Sequence, residues 1–322
     1  MNTILKESME LTGIQEMNPV YIIKQRGFMK RVYVILPLFF IIMLTSLCNT
    51  SRVVNTGSPA YPPGYYEDDP LPDKTVYLTF DDGPSEWTNA ILDVLKEEKI
   101  KATFFICGDW APHSTRKDND FRKYRNTLVR MIKEGHAVGN HTVDHRDLAK
   151  LRPGQIAAEL DANQELLDRE LGKDSIKMTL VRPPFGSPWD EKYSEAVFTK
   201  VGNEIRSRGI IIMWSRHFDS GDSMNWVNGD WYKEAKRVNI NNTDFKNRMW
   251  FIYERIISRA NGKGMVILMH DTHLTTMEVL KSVVDKLKSE GYKFATAEDL
   301  VRWKWKKSSS ELVKMNKNDP IE

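Results

Sequence analysis

The stretch that decides the architecture runs from Lys74 to Cys107, KTVYLTFDDGPSEWTNAILDVLKEEKIKATFFIC. Thr75–Phe80 is a short β-branched and aromatic run, the composition of a strand. Asp81-Asp82-Gly83-Pro84-Ser85 then supplies turn and helix-start chemistry. Glu86–Glu98 is amphipathic at helical spacing, and Ala102–Cys107 is a second apolar run. Strand, helix and strand in immediate succession predict two parallel neighbours with the helix laid over them.

The same rhythm continues to the right. Further strands are expected at Ala137–Asn140, Met178–Val181, Ile210–Trp214, Met265–Met269 and Lys293–Thr296. Helices are expected at Phe121–Glu134, Pro153–Leu171, Asp190–Arg208, Asp244–Arg259 and Thr276–Glu290. Two of these end in glycine, at Gly135 and Gly291, with Lys133 or Lys288 in the last turn. Strict alternation predicts an α/β fold with a parallel sheet, open or closed into a barrel. About 230 residues carrying six or seven such units fit one (β/α) barrel better than two domains. A catalytic domain is therefore expected over 74–306, followed by a frayed polar tail, 307–322. The interval from Ser215 to Thr243 breaks the rhythm and carries Trp226 and Trp231; so long a loop is usually functional.

To the left lies an address. Val32 to Cys48 is a run of 17 uncharged residues preceded by Lys24, Arg26, Lys30 and Arg31. That length suits a signal peptide or a short transmembrane anchor, and the basic flank places everything downstream outside the cytoplasm. Residues 1–31 are expected to be a cytoplasmic N-terminus or an over-long start, with Met29 as the second candidate start. Cys48 stands where a lipid-modified cysteine would, after a bulky Leu47. Residues 49–73, rich in Pro, Gly, Ser and Tyr, read as an extended linker.

Composition narrows the function. The chain has 322 residues, 41% hydrophobic and 28% charged, which excludes disorder and low complexity as a description of the whole. Its net charge of +3 is carried by the last 22 residues, with six basic and three acidic groups. The balanced remainder argues against a nucleic-acid partner. Two cysteines exclude a disulfide framework and a Cys-rich zinc site, and Cys107 reads as a buried thiol. The oligomeric state is left open.

Four polar clusters directly follow strands: Asp81-Asp82-Gly83, His141-Thr-Val-Asp-His145, Arg182-Pro-Pro-Phe-Gly186 and His270-Asp271. The carboxyl ends of barrel strands share one face, so residues spread over about 190 positions converge there. Two histidines one helical turn apart, with a nearby carboxylate, make a common catalytic metal set. The bland readings are an N-cap for the aspartates, incidental spacing for the histidines and a surface charge for Arg182. His270 reads as an acid or base at the mouth of the sheet and His273 as its decoy; His136 reads as structural, and His113 and His217 as loop residues. No phosphate loop, dinucleotide fingerprint, HExxH or GxSxG is present.

Thr79-Phe-Asp-Asp-Gly-Pro-Ser85, His141-Thr-Val-Asp-His145, Arg182-Pro-Pro-Phe-Gly186 and Leu268-Met-His-Asp271 resemble, in order, the motifs of the polysaccharide deacetylases, the NodB-like carbohydrate esterases. The resemblance spans about Thr75 to Leu300. It implies a distorted (β/α) barrel of seven or so parallel strands and one divalent metal, zinc first, with cobalt or another transition metal as alternatives. By the same resemblance Asp82, His141 and His145 are the metal ligands and Asp81 is the base. Arg182 orients Asp81, the backbone N–H of Phe185 helps hold the oxyanion, Leu268 lines the acetyl pocket and His270 is the acid. The family places the partner of that acid six residues past a strand-end tryptophan, here Trp214, which is expected to border the substrate. The segment after Trp214 is two residues longer and has Ser223 where the family has tryptophan. Asp222 is the expected partner, with Asp219 second.

The function implied is hydrolysis of N-acetyl groups on N-acetylglucosamine units of an extracytoplasmic polysaccharide, peptidoglycan foremost, by a protein tethered to the membrane through its N-terminal segment. Two alternatives stand beside it: an O-acetyl esterase on a xylan-type polymer, and a tethered carbohydrate-binding protein without turnover.

Overall fold

A computed structural model describes residues 63–108, 121–189, 193–223 and 243–318. Residues 1–62, with the apolar segment 32–48 and Cys48, lie outside the described residues, as do His113, Trp226 and Trp231.

The chain runs through β1 (Gly64–Tyr65), β2 (Thr75–Asp81), α1 (Thr88–Glu97), β3 (Thr103–Ile106), α2 (Arg125–Lys133), β4 (Ala137–Asn140), α3 (Pro153–Leu171) and β5 (Leu180–Val181). It continues through α4 (Glu195–Arg206), β6 (Ile210–Ile212), α5 (Thr243–Ile257), β7 (Met265–His270), α6 (Leu274–Ser289), β8 (Lys293–Ala295), α7 (Ala297–Trp305) and α8 (Ser309–Asn318). Every pairing is parallel, in the order β1-β6-β5-β4-β3-β2-β7. β7 runs along one side of β2; the other side is shared, β8 against Thr75–Tyr77 and β3 against Thr79–Asp81. This is the distorted barrel that the alternation and the resemblance both implied.

The ring closes through irregular chain. After β6, Ser215 N–H donates to Val266 O, Leu268 N–H to Phe218 O and Ser220 N–H to Leu268 O, at 3.0, 2.9 and 3.0 Å. Residues 215–220 thus form a seam along β7, so the long loop of the sequence begins as part of the barrel wall.

Alternation along the strands divides the core in two. Val76, Leu78 and Phe80 of β2 pack with α1, α2, α5 and α6 in an outer layer. Tyr77 belongs to an inner cluster with Phe105, Leu180, Ile212 and Val266, closed below by Leu300 and Val301 of α7 and Leu312 and Val313 of α8. Thr79 and Asp81, on the same face as Tyr77, therefore stand higher up the interior.

Four boundaries differ from those expected. The linker expected over 49–73 gives the sheet an edge strand at Gly64–Tyr65, because Tyr65 is 1% exposed and its hydroxyl bonds Ser215 Oγ at 2.6 Å. The tail expected from 307 contains α8, held by the burial of Leu312 and Val313. Strand β5 is two residues rather than four, and β6 stops at Ile212 instead of Trp214. Among the described residues no helix is long and apolar enough to cross a membrane.

Candidate active site

Asp81 ends β2 in register with His270, which ends β7. A regular strand would turn the next side chain away, but Asp82 has φ 73°, in the left-handed region. Aspartate tolerates that region better than most residues. The turn brings both carboxylates to one cleft of about 430 Å³, lined also by His141, His145, Trp214, Leu268 and His270.

His141 and His145 do not share a helical turn, as their spacing had implied. They lie on a loop beyond β4 in which Thr142 and His145 have φ 69° and 53°, and their ring centroids are 5.0 Å apart. Helix α3 holds that loop. Val143 N–H donates to Glu159 O and Asp144 N–H to Glu159 Oε2, both at 3.1 Å. Asn140 Oδ1 accepts from Thr142 N–H and from Asn163 Nδ2, each at 2.9 Å, while Asn163 Nδ2 also donates to Ile106 O at 2.9 Å. Sequence reasoning missed Asn140, Glu159 and Asn163. The signal was present: Glu159 and Asn163 are polar residues at helical spacing on the face that carries Ile156, Leu160 and Leu167.

Asp82 Oδ1 lies 3.3 Å from His141 Nε2 and 3.1 Å from His145 Nε2. His141 Nδ1 is 2.6 Å from the carbonyl oxygen of Arg182, which can only accept, so Nδ1 carries the proton. Nε2 then faces a carboxylate oxygen, an arrangement that is favourable only with a cation between them, a proton or a metal ion. A carboxylate and two imidazoles, one fixed by a backbone carbonyl behind it, fit a divalent transition metal. Burial opposes the charge on Asp82, yet His145, His141 and His270 around it hold its carboxyl well below the usual range. Burial pulls His145 down, and Asp82 offsets part of that.

Arg182 is fully buried inside the barrel, with Phe105 stacked on its guanidinium at 4.2 Å. Its Nη1 donates to Asp81 Oδ1 at 2.8 Å and Thr79 Oγ1 at 2.7 Å; Nε and Nη2 donate to Ile212 O and Met213 O at 2.8 and 3.2 Å. Burial lowers its pKa, opposed by Asp81.

Opposite stands a second pair. His270 Nδ1 is 2.7 Å from Asp222 Oδ1, whose other oxygen accepts from His270 N–H at 2.7 Å and from Thr276 Oγ1 at 2.6 Å. Asp222 is thus the partner of His270, as expected, because the seam along β7 delivers it there. Asp219 turns to its own loop, accepting from Gly221 N–H at 2.7 Å. Burial disfavours charge on His270, but Asp222, Asp82 and Asp81 raise its pKa to about 10. Burial likewise opposes the charge on Asp222, and His270 more than offsets it, so its pKa falls.

The rim carries Phe185, 67% exposed at φ 62°, with its ring edge-on to His145 at 4.7 Å. Leu268 and Trp214 form the wall. Gly186 has φ 69°, and a Cβ there would lie 2.7 Å from the Trp214 ring, so this position needs glycine twice over. His136 is structural: Nδ1 accepts from Ala102 N–H at 3.1 Å at the far end of β4, and burial lowers its pKa to about 4. His217 is exposed.

Comparison with known proteins identifies the family. The polysaccharide deacetylase family signature matches residues 68–203, a span that holds Asp81, Asp82, both loop histidines and Arg182. The peptidoglycan-N-acetylmuramic acid deacetylase PdaA of Bacillus subtilis is 32% identical over 232 residues, 71% of this chain and 72% of that protein. PdaC of the same organism, also a peptidoglycan-N-acetylmuramic acid deacetylase, is 30% identical over 230 residues, 70% of this chain. That match spans only 38% of PdaC's length. A solved structure of PdaC superposes with a TM-score of 0.52 at 29% identity, covering 76% of this chain and 97% of that one. With the family signature matched and a relative 32% identical over most of both chains, this chain belongs to the polysaccharide deacetylase family.

Proposed function

We propose that the protein hydrolyses N-acetyl groups from N-acetylglucosamine units of an extracytoplasmic polysaccharide, peptidoglycan foremost. One observation carries the reading: a carboxylate oriented by a buried arginine and an imidazolium paired with a buried aspartate face one cleft, on either side of a metal-ligand set.

Asp82, His141 and His145 would hold a divalent cation, which would supply Lewis acidity toward the acetyl carbonyl and the attacking water. Asp81 takes the proton of the attacking water, with Arg182 fixing the angle of its carboxylate. The backbone N–H of Phe185 donates to the developing oxyanion, a contribution of about 3 kcal/mol for one such donor. As the carbon–nitrogen bond breaks, His270 gives its proton to the departing nitrogen, which leaves poorly as an anion. Leu268 and Trp214 surround the acetyl methyl. Acetate and a free amine remain.

The charge-free run 32–48 behind its basic flank supports export, with the catalytic domain tethered outside the membrane. The relatives' names support a cell-wall glycan. The test is acetate release from N-acetylated peptidoglycan fragments by the zinc-loaded protein and by Asp81→Asn. We expect the variant to be slower by about 10²–10⁴; equal release by the two would end the reading.

A further inference from the structure

We propose a second cation site on this chain, built from Asp222, His270 and His273, whose filling by zinc or a similar divalent ion silences the acid. The inhibitory consequence rests on the function proposed above; the ligand set does not. One donor atom from each of the three residues lies within 4.8 Å of the other two, the same closeness that gathers Asp82, His141 and His145. The donors come from three different elements: the chain just beyond the seam, the end of β7 and the N-cap of α6. Asp222 and His273 are buried, and the His270 and His273 rings meet edge to face at 5.6 Å. Both histidines line the cleft, so an ion reaches them by the route the substrate takes.

The chemistry of the three groups fits. Zinc takes imidazole nitrogen and carboxylate oxygen at about 2.0–2.2 Å, which sets tetrahedral donors about 3.3 Å apart. His270 Nδ1 and Asp222 Oδ1 are 2.7 Å apart with one proton between them. An entering ion replaces that proton, which passes to solvent, and the two atoms separate by a few tenths of an ångström. Asp222 keeps its place meanwhile, because its other oxygen remains bonded to His270 N–H and Thr276 Oγ1. His273 completes the set and has no part in the hydrolysis proposed above. With the ion on Nδ1, His270 is a neutral imidazole that keeps only its Nε2 proton, and it holds that proton more tightly than an imidazolium does, so the departing amine goes unprotonated. The first equivalent of metal therefore activates, and the second, which must displace a proton, binds more weakly and inhibits.

The test uses the metal-free full chain titrated with zinc alone by calorimetry, with acetate release followed in parallel. The wild type is expected to bind two equivalents, the weaker one at the concentration where activity falls. His273→Ala should bind one, and the zinc concentration that halves its own maximal rate should rise at least about ten-fold. Should thermal unfolding show that His273→Ala misfolds, His273→Gln takes its place. A wild type that binds a single equivalent up to millimolar zinc overturns the second site. So does a folded variant that retains both the second event and the inhibition. Asp82→Ala should lose the tighter event and keep the weaker; if it keeps the tighter one, the failure belongs to the proposed catalytic metal and not to this site.

Discussion

At the scale of single residues, Arg182 and His270 carry opposite burdens. Arg182 serves both sides of the cleft: its guanidinium fixes Asp81, and its carbonyl fixes the tautomer of His141. Lysine could not replace it, since one ammonium cannot donate along four directions from the same depth. His270 has a pKa of about 10 against the ordinary 6.5, so its pairing with Asp222 stabilises the fold fully below pH 6.5. That contribution drains away as pH rises toward 10. The stability difference between wild type and His270→Gln in metal-free protein should therefore shrink steadily over that window, as read from urea midpoints. A gap that is constant or widening with pH would contradict the pairing. For turnover, His270→Ala should slow amide hydrolysis by about 10²–10⁴ and an acetyl ester far less, because an alkoxide leaves without help. Equal losses on both substrates would show that His270 is not the proton donor. Most of these residues were legible because each follows a strand, where the chain must surface at the barrel mouth. What spacing could not convey was the conformation: Asp82 and His145 reach the cleft through left-handed backbone, which no residue count announces.

Among the elements, α3 does the least visible work. Its apolar positions seat it on the sheet, while Glu159 and Asn163 on the same face hold the loop that carries both histidines. Asn163→Ala removes donors to Ile106 O and Asn140 Oδ1. It should cost about 1–3 kcal/mol of stability and weaken metal binding about 10–100-fold. Thermal unfolding and competition with a chelating dye measure the two effects; unchanged metal affinity would confine Asn163 to a packing role. The long elements were readable from periodicity, and Pro153–Leu171 matches its expected limits because proline starts it and glycine ends it. The short ones were not. β1 has two residues, too few for any pattern, and its neighbours Tyr61-Pro-Pro-Gly have the composition of a linker. Residues 215–220 pair with β7 without strand regularity, so their place in the wall is a tertiary fact and not a local one.

Over the whole molecule, the two ends of the described barrel meet below the inner core. Lys304 of α7 donates to Gly64 O at 3.0 Å and pairs with Asp69, while α8 covers the bottom with Leu312 and Val313. Leu312→Ala should lower stability by about 2–4 kcal/mol and leave the per-molecule rate of the folded fraction unchanged, since the cleft lies at the opposite end. A fall in that rate at full folding, measured by acetate release beside circular dichroism, would show that floor and mouth are coupled. The overall architecture was legible because alternation on this scale has few solutions; the floor was not, since α7 and α8 sit past the last strand and interrupt the pattern. The seam has a further consequence. Hydrogen bonds from 215–220 fasten this edge of the sheet to β7 before Asp222 takes hold of His270. A fluctuation that unzips the cylinder along that line also strips His270 of its counter-ion. Mechanical breathing and loss of the proton held on His270 would then be one event, and slow amide exchange at Leu268 and Ser220 would report on both.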